Sequence, residues 1–200
     1  MEVRAVKSRA FVGSLVILAA FCCGGQAQSA SRNISRKIFC TVPKEEVRIF
    51  IAYESLSREP TVVVTQTQAT PVDIDSYNLQ LAAQGYGIPP DFRADFKKKN
   101  TSACTIRPFT GVPNLRFISG AEEKRIFRKG INGWHEFHRR YGKNTSIDEL
   151  SRVGFNSDKT LALLHVSSGI SSGGVAGTLY LLERMNDKWV IKWQIETWGV

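Results

Sequence analysis

The C-terminal end of the chain constrains the fold more than any other part. Leu150–Phe155, Thr160–Ser167, Thr178–Arg184 and Trp189–Trp198 are short runs separated by the turn Asn156-Ser157-Asp158-Lys159, a glycine-serine stretch and the turn Asn186-Asp187-Lys188. In the last run Trp189, Ile191, Trp193 and Ile195 fall on one face of a strand and Lys192, Gln194 and Glu196 on the other, because strand side chains alternate. Short alternating runs joined by tight polar turns predict an antiparallel meander with one buried face.

Upstream, the pattern turns helical. Pro-Lys-Glu-Glu opens a helix from Pro43, and Val47, Phe50, Ile51 and Leu56 recur at helical spacing. Thr61–Thr67 is β-branched and bounded by Pro60, so it reads as a strand; residues 68–90 read as a loop with at most a helical turn. Asp91–Asn100 follows two prolines and reads as a short helix, Leu115–Ile118 as a strand and Glu122–Lys129 as a helix. The sum is one α+β domain over residues 44–200, its C-terminal meander packed against several helices.

The N-terminus assigns a compartment. Arg4, Lys7 and Arg9 precede the apolar run Ala10–Phe21, and Gly25-Gln26-Ala27 supplies the small residues that signal peptidase accepts. The run is shorter than the roughly 20 residues a bilayer requires, so residues 1–27 read as a signal peptide rather than an anchor. Lipidation at Cys22 is disfavoured by the bulky Phe21 before it. Residues 28–43 form a polar leader. Cleavage removes Arg4, Lys7, Arg9 and Glu2 from the chain's 27 basic and 18 acidic residues, leaving 24 and 17 and a net charge of +7. The product is expected outside the cytoplasm, secreted or periplasmic, with no membrane span. There, the two remaining cysteines, Cys40 and Cys104, are expected to form a disulfide worth roughly 4 kcal/mol on the chain-entropy model, with two free thiols as the alternative.

Several motifs mimic active sites. His135, Glu136 and His138 give H-E-x-H, one residue short of the zinc-protease signature. On a helix Trp134, Phe137 and Tyr141 form one stripe with His138 on its border, and Glu136 points away; catalytic zinc needs three ligands, and the only other histidine is His165. The segment therefore reads as a packing helix. Gly169-Ile170-Ser171-Ser172-Gly173 matches G-x-S-x-G, but a nucleophile elbow needs a strand-to-helix turn and a later histidine, and neither is present. The same glycines lack the lysine of a phosphate-binding loop. Asp73 and Asp75 do not continue into a calcium-loop spacing. Asp148 and Glu149 are adjacent, so on a helix or strand they diverge, and they read as solvating a helix or turn. Lys97-Lys98-Lys99 and Arg139-Arg140 are adjacent basic clusters, but they lack the interleaved aromatics of a nucleic-acid platform.

The runs W-H-E-F-H-R-R-Y-G, L-S-R-V-G-F-N, T-L-A-L-L-H-V and the closing L-Y-L-L-E-R, K-W-V and T-W resemble a group of uncharacterised secreted bacterial proteins. In that group a W-x-x-F-x-x-x-Y helix precedes a meander that opens on S-R-V-G-F and ends in tryptophans. The E-E-V-R-I-F-I-A and F-K-K-K-N segments fit the same pattern, so the likeness spans most of residues 44–198. Gly142 stands where proline is usual, and residues 168–176 lack the cysteines many members carry. The resemblance implies a compartment and an architecture and carries no activity. A bacterial setting also leaves the sequons at Asn33, Asn100 and Asn144 without a role.

No residue is therefore assigned to catalysis, a cofactor or a metal. The reading is a secreted non-enzymatic binding or structural module of the cell envelope, with an anionic envelope component as the partner its basic excess favours. Two alternatives stand beside it: a secreted hydrolase with His135, His138 or His165 as base, and a weak polyanion binder.

Overall fold

The computed structural model describes residues 40–199 apart from positions 58, 70, 71, 84, 129, 172 and 173; the expected signal peptide and most of the expected polar leader lie outside the described residues. The fold is α+β. Seven strands form one mixed sheet: β1 (Thr61–Val64), β2 (Leu115–Ile118), β3 (Ser146–Leu150), β4 (Gly154–Phe155), β5 (Leu161–Ser171), β6 (Gly174–Met185) and β7 (Lys188–Gly199). Their order is β2-β1-β3-β5-β6-β7, with β4 added against β5. Strands β5 to β7 make the antiparallel meander that the alternation predicts. The other half of the sheet is parallel: β1 runs between β2 and β3 in the same direction as both. Its sequence, Thr-Val-Val-Val, is buried throughout, as a strand covered on both faces must be.

Neighbouring residues on each strand serve opposite faces. Val63, Leu164, Val166 and Leu182 join Ile49 and Phe50 of helix α1 (Lys44–Glu54) in one core. On the other face, Leu163 and Leu179 pack under α2 (Ile74–Ala83) and α3 (Pro90–Lys99), through Ile74, Leu81, Phe92 and Phe96. Val62 and Val64 pack beside them under α4 (Gly120–Phe127) and α5 (Gly133–Tyr141), through Ile126 and Phe137. Among the described residues no helix is long and apolar enough to cross a membrane.

Four sequence expectations change. Helix α2 replaces the loop expected over 68–90; only Ile74 and Leu81 are buried along it, too few to show a period. Strand β3 begins at Ser146, ahead of the run expected from Leu150, because its pairing with β1 outweighs its polar sequence. The buried stripe of α1 is Glu46, Ile49, Phe50 and Glu54, one residue off the expected Val47-Phe50-Ile51 line, and Leu56 is exposed. On β7 the odd residues are half-buried, as the alternation requires, but they do not share one core. Leu181 pairs with Trp193 and Leu182 with Ile191, so Lys192 is the extra residue of a β-bulge. The bulge directs Trp189 and Ile191 to the α1 core and Trp193 and Ile195 to the α2–α3 core.

The Ser-Arg-Val-Gly-Phe segment ties these layers together. Arg152 forms a two-pronged salt bridge with Glu46 of α1, Nε to Oε2 at 2.8 Å and Nη2 to Oε1 at 2.7 Å, and Val153 N–H donates to the same carboxylate at 3.1 Å. Arg152 N–H donates to Asn100 Oδ1 at 2.8 Å, while Asn100 Nδ2 caps α3 on Phe96 O at 2.9 Å. Asn100 is buried, so its sequon is closed to modification. Gly154 lies where a Cβ would come within 2.6 Å of Phe96 Cβ, which only glycine permits. Arg152 Nη1 also lies 2.9 Å from Cys104 Sγ, and Cys104 is bonded to Cys40 with Cα atoms 4.9 Å apart. Val42, two residues on, is buried in the α1 core.

Candidate functional site

The parallel pairing of β1 with β3 places an aspartate inside the molecule. Successive residues of β3 point to opposite faces, so Glu149 faces the α4–α5 side while Asp148 faces α1 and is buried. The two acids diverge as their spacing requires, but Asp148 solvates no turn. Its register partner on β5 is Ser168, whose hydroxyl donates to Oδ1 at 2.6 Å. From the last turn of α1, Tyr53 donates to Oδ2 at 3.1 Å, and the Tyr53 ring packs 5.0 Å from that of Tyr180.

Next to Tyr53, Glu54 closes the helix. It is 1% exposed, and neither carboxylate oxygen has a hydrogen-bond partner among the described residues. Burial pushes its carboxyl up to about 9, with the nearby Asp148 charge adding to the effect. Burial also raises Asp148, to about 6, against the opposing pull of the hydrogen bonds from Ser168 and Tyr53. Tyr53 itself is raised, first by burial and then by Asp148. A buried charge without a partner is expensive, so at neutral pH this pair holds a proton.

Asp148 also borders open space. It is one of the residues lining an open cleft of about 380 Å³, together with the hydroxyl-bearing Tyr53, Ser57, Thr61, Ser146 and Ser168 and with Asn144, Glu59 and Ile170. Among the described residues no lysine or arginine lines this cleft. A recess rich in acceptors, with one deeply buried carboxylate and a second behind it, is arranged to receive hydrogen-bond donors or positive charge.

The residues that resemble catalytic motifs lie elsewhere and apart. His165 is fully buried on β5, its Nδ1 3.0 Å from Gln68 Oε1 and its Nε2 3.0 Å from Thr197 Oγ1; burial lowers its pKa to about 4, so it is a neutral core histidine. His138 Nε2 lies 2.9 Å from the Ile170 carbonyl, and its ring packs 5.5 Å from Trp134. His135 lines a different cleft with Glu136, whose carboxylate is held by Arg139 and Arg140. Trp134, Phe137 and Tyr141 form the expected packing stripe, with Phe137 fully enclosed. Among the described residues no group of three or more histidine, cysteine or acidic side chains converges as metal ligands would.

The G-x-S-x-G segment begins inside β5, which ends at Ser171, and the next described element is strand β6 from Gly174. The segment's first glycine answers to packing: a Cβ on Gly169 would come within 2.8 Å of the Trp134 ring. Asp75 pairs with Arg93 at 3.0 Å and with Lys97, and Asp73 accepts from Asp75 N–H at 3.2 Å, a local turn. The Asp148–Glu54 pair is what sequence reasoning missed. A signal existed: Glu46, Ile49, Phe50, Tyr53 and Glu54 fall on one helical stripe, which puts both glutamates on the buried side.

Compared with known protein families, curated proteins and solved structures, the chain matches none.

Proposed function

We propose that this protein is a secreted, non-enzymatic binding module of the cell envelope, and that the Asp148 cleft holds a small amine-bearing ligand. The observation that carries this reading is the deeply buried Asp148 carboxylate in the wall of an open, hydroxyl-lined recess, backed by the unpartnered Glu54. Buried polar groups are otherwise almost always satisfied, and exceptions concentrate where a ligand completes the set. An ammonium group entering the recess would give Asp148 a counter-charge, and the surrounding hydroxyls would take its remaining donors. The signal peptide, the disulfide and the resemblance to secreted bacterial proteins support the compartment. No observation favours a histidine-based hydrolase, because among the described residues no histidine lines this cleft.

Calorimetric titration with glucosamine and ethanolamine tests the reading. Saturable binding is expected, lost by about tenfold or more in Asp148→Asn, since a charge-assisted hydrogen bond is worth about 1.5–3 kcal/mol. Binding is also expected to weaken as the pH falls through about 6, where Asp148 takes up a proton. Equal affinity in Asp148→Asn, or no saturable binding by the parent protein, rejects it.

A further inference from the structure

A second cleft has the opposite charge. Gly133 allows α5 to sit hard against α4: a Cβ there would lie 2.7 Å from the Ile126 carbonyl oxygen and 2.8 Å from Phe127 Cα. Gly130, at φ +60°, takes the left-handed conformation that turns the chain between the two helices. Phe127 then locks the pair, its ring 5.0 Å from Trp134 and 5.8 Å from Phe137. This tight corner brings Arg125 and Arg128, from the end of α4, opposite Arg139 and Arg140 of α5 across an open cleft of about 470 Å³. Arginines from two successive helices thus share one recess.

The protein's own contacts show which chemistry the recess accepts. Arg139 grips the Glu136 carboxylate with Nε at 3.0 Å and Nη2 at 2.8 Å, and Arg140 Nε reaches the same group at 2.5 Å. Arg140 Nη1 also meets Glu122 at 3.1 Å. The Arg139 fork and the Arg140 Nε–H therefore already converge on one oxyanion. The other two are less engaged: Arg125 approaches Glu122 only to 3.8 Å, and Arg128 has no ion-pair partner among the described residues. Four guanidinium groups against Glu122 and Glu136 leave a net local charge of +2. Exposed ion pairs of this kind are weak, so a competing anion displaces them at little cost. A carboxylate offers only two oxygens, and here both are already engaged by Arg139 and Arg140. A phosphate offers three or more, enough to engage Arg125 and Arg128 as well.

We propose that the α4–α5 cleft binds a phosphate group, carried either by an anionic envelope lipid or by a free phosphorylated solute. The site is separate from the Asp148 recess, and its fate does not depend on that reading.

The test has two arms: titration calorimetry with inorganic phosphate, and flotation with phosphatidylglycerol vesicles against phosphatidylcholine vesicles. Binding in the vesicle arm alone names the lipid as the source; binding in both shows that free phosphate suffices. In either case Arg125→Ala/Arg128→Ala is expected to weaken binding by about tenfold or more, the worth of charge-assisted hydrogen bonds. Arg184→Ala/Lys192→Ala, which removes the same charge from distant exposed positions, is expected to leave it unchanged, as is Asp148→Asn. Arg125→Lys/Arg128→Lys keeps the charge but loses the forks, and an intermediate affinity is expected. Three outcomes overturn the proposal: no saturable binding in either arm, an equal loss in the distant double variant, or full affinity in the lysine variant.

Discussion

Helix α1 carries two buried glutamates, and the protein treats them in opposite ways. Glu46 and Glu54 lie two turns apart on the same stripe, 2% and 1% exposed. Glu46 is satisfied from three directions by the Arg152 fork and the Val153 amide. Glu54 has no partner among the described residues and sits beside a second acid. Equal burial thus serves two ends. Glu46 fixes where α1 sits against the S-R-V-G-F segment, so it belongs to the architecture. Glu54 opposes cohesion increasingly as the pH rises from about 4.5 towards 9, the mark of a group retained for something other than stability.

Arg152→Ala breaks the comparison most severely, because it leaves Glu46 buried without its partner. A loss of about 3–5 kcal/mol in urea-denaturation stability is expected. A loss below about 1 kcal/mol would show that solvent reaches Glu46 and that the contrast with Glu54 is not one of pairing.

Glu54→Gln sharpens the comparison, and its effect has a sign. A carboxyl whose folded pKa is raised, here from 4.5 to about 9, holds its proton in the folded state when the unfolded chain has lost it. Its stabilising contribution is complete below about pH 4.5 and is lost as the pH rises towards 9. Glutamine cannot ionise, so Glu54→Gln should match the parent near pH 4 and exceed it increasingly above, by at most about 1.4 kcal/mol per pH unit. Parallel stability curves from pH 4 to 9 would refute the unpaired burial of Glu54.

Tyr53→Phe should have the smallest effect. It removes one hydrogen bond to Asp148, worth about 1 kcal/mol, and with it a contact that lowers the Asp148 pKa. Asp148 should therefore titrate at a higher pH in the variant, as followed by carboxyl-carbon NMR. An unchanged titration would place Tyr53 outside the carboxyl pair.

Much of the architecture is legible in the sequence because it is written in alternation. The β5–β7 meander and the Trp134–Phe137–Tyr141 stripe follow from local periods of two and 3.6 residues. What escapes is set by distant partners. Ser-Ile-Asp-Glu-Leu becomes a strand only because β1 and β5 offer it hydrogen bonds on both sides. The bulge at Lys192 moves Trp193 to the other core without disturbing the alternation that a sequence displays. The acidic pair is hidden for a related reason. Aspartate and glutamate usually mark solvent, and only the spacing of Glu46 and Glu54 with Ile49 and Phe50 argues otherwise. The arginine recess depends on a helical corner, whose two glycines are visible but whose angle is not.

The Glu46–Arg152 bridge also sets an order of events. Its partners are 106 residues apart, and β1 waits for β3 across a comparable stretch of chain. A polypeptide that emerges amino end first therefore cannot complete α1 and β1 until most of its length has followed. Such long-range closure slows folding, and it leaves the parallel half of the sheet to be completed only once β3 is available.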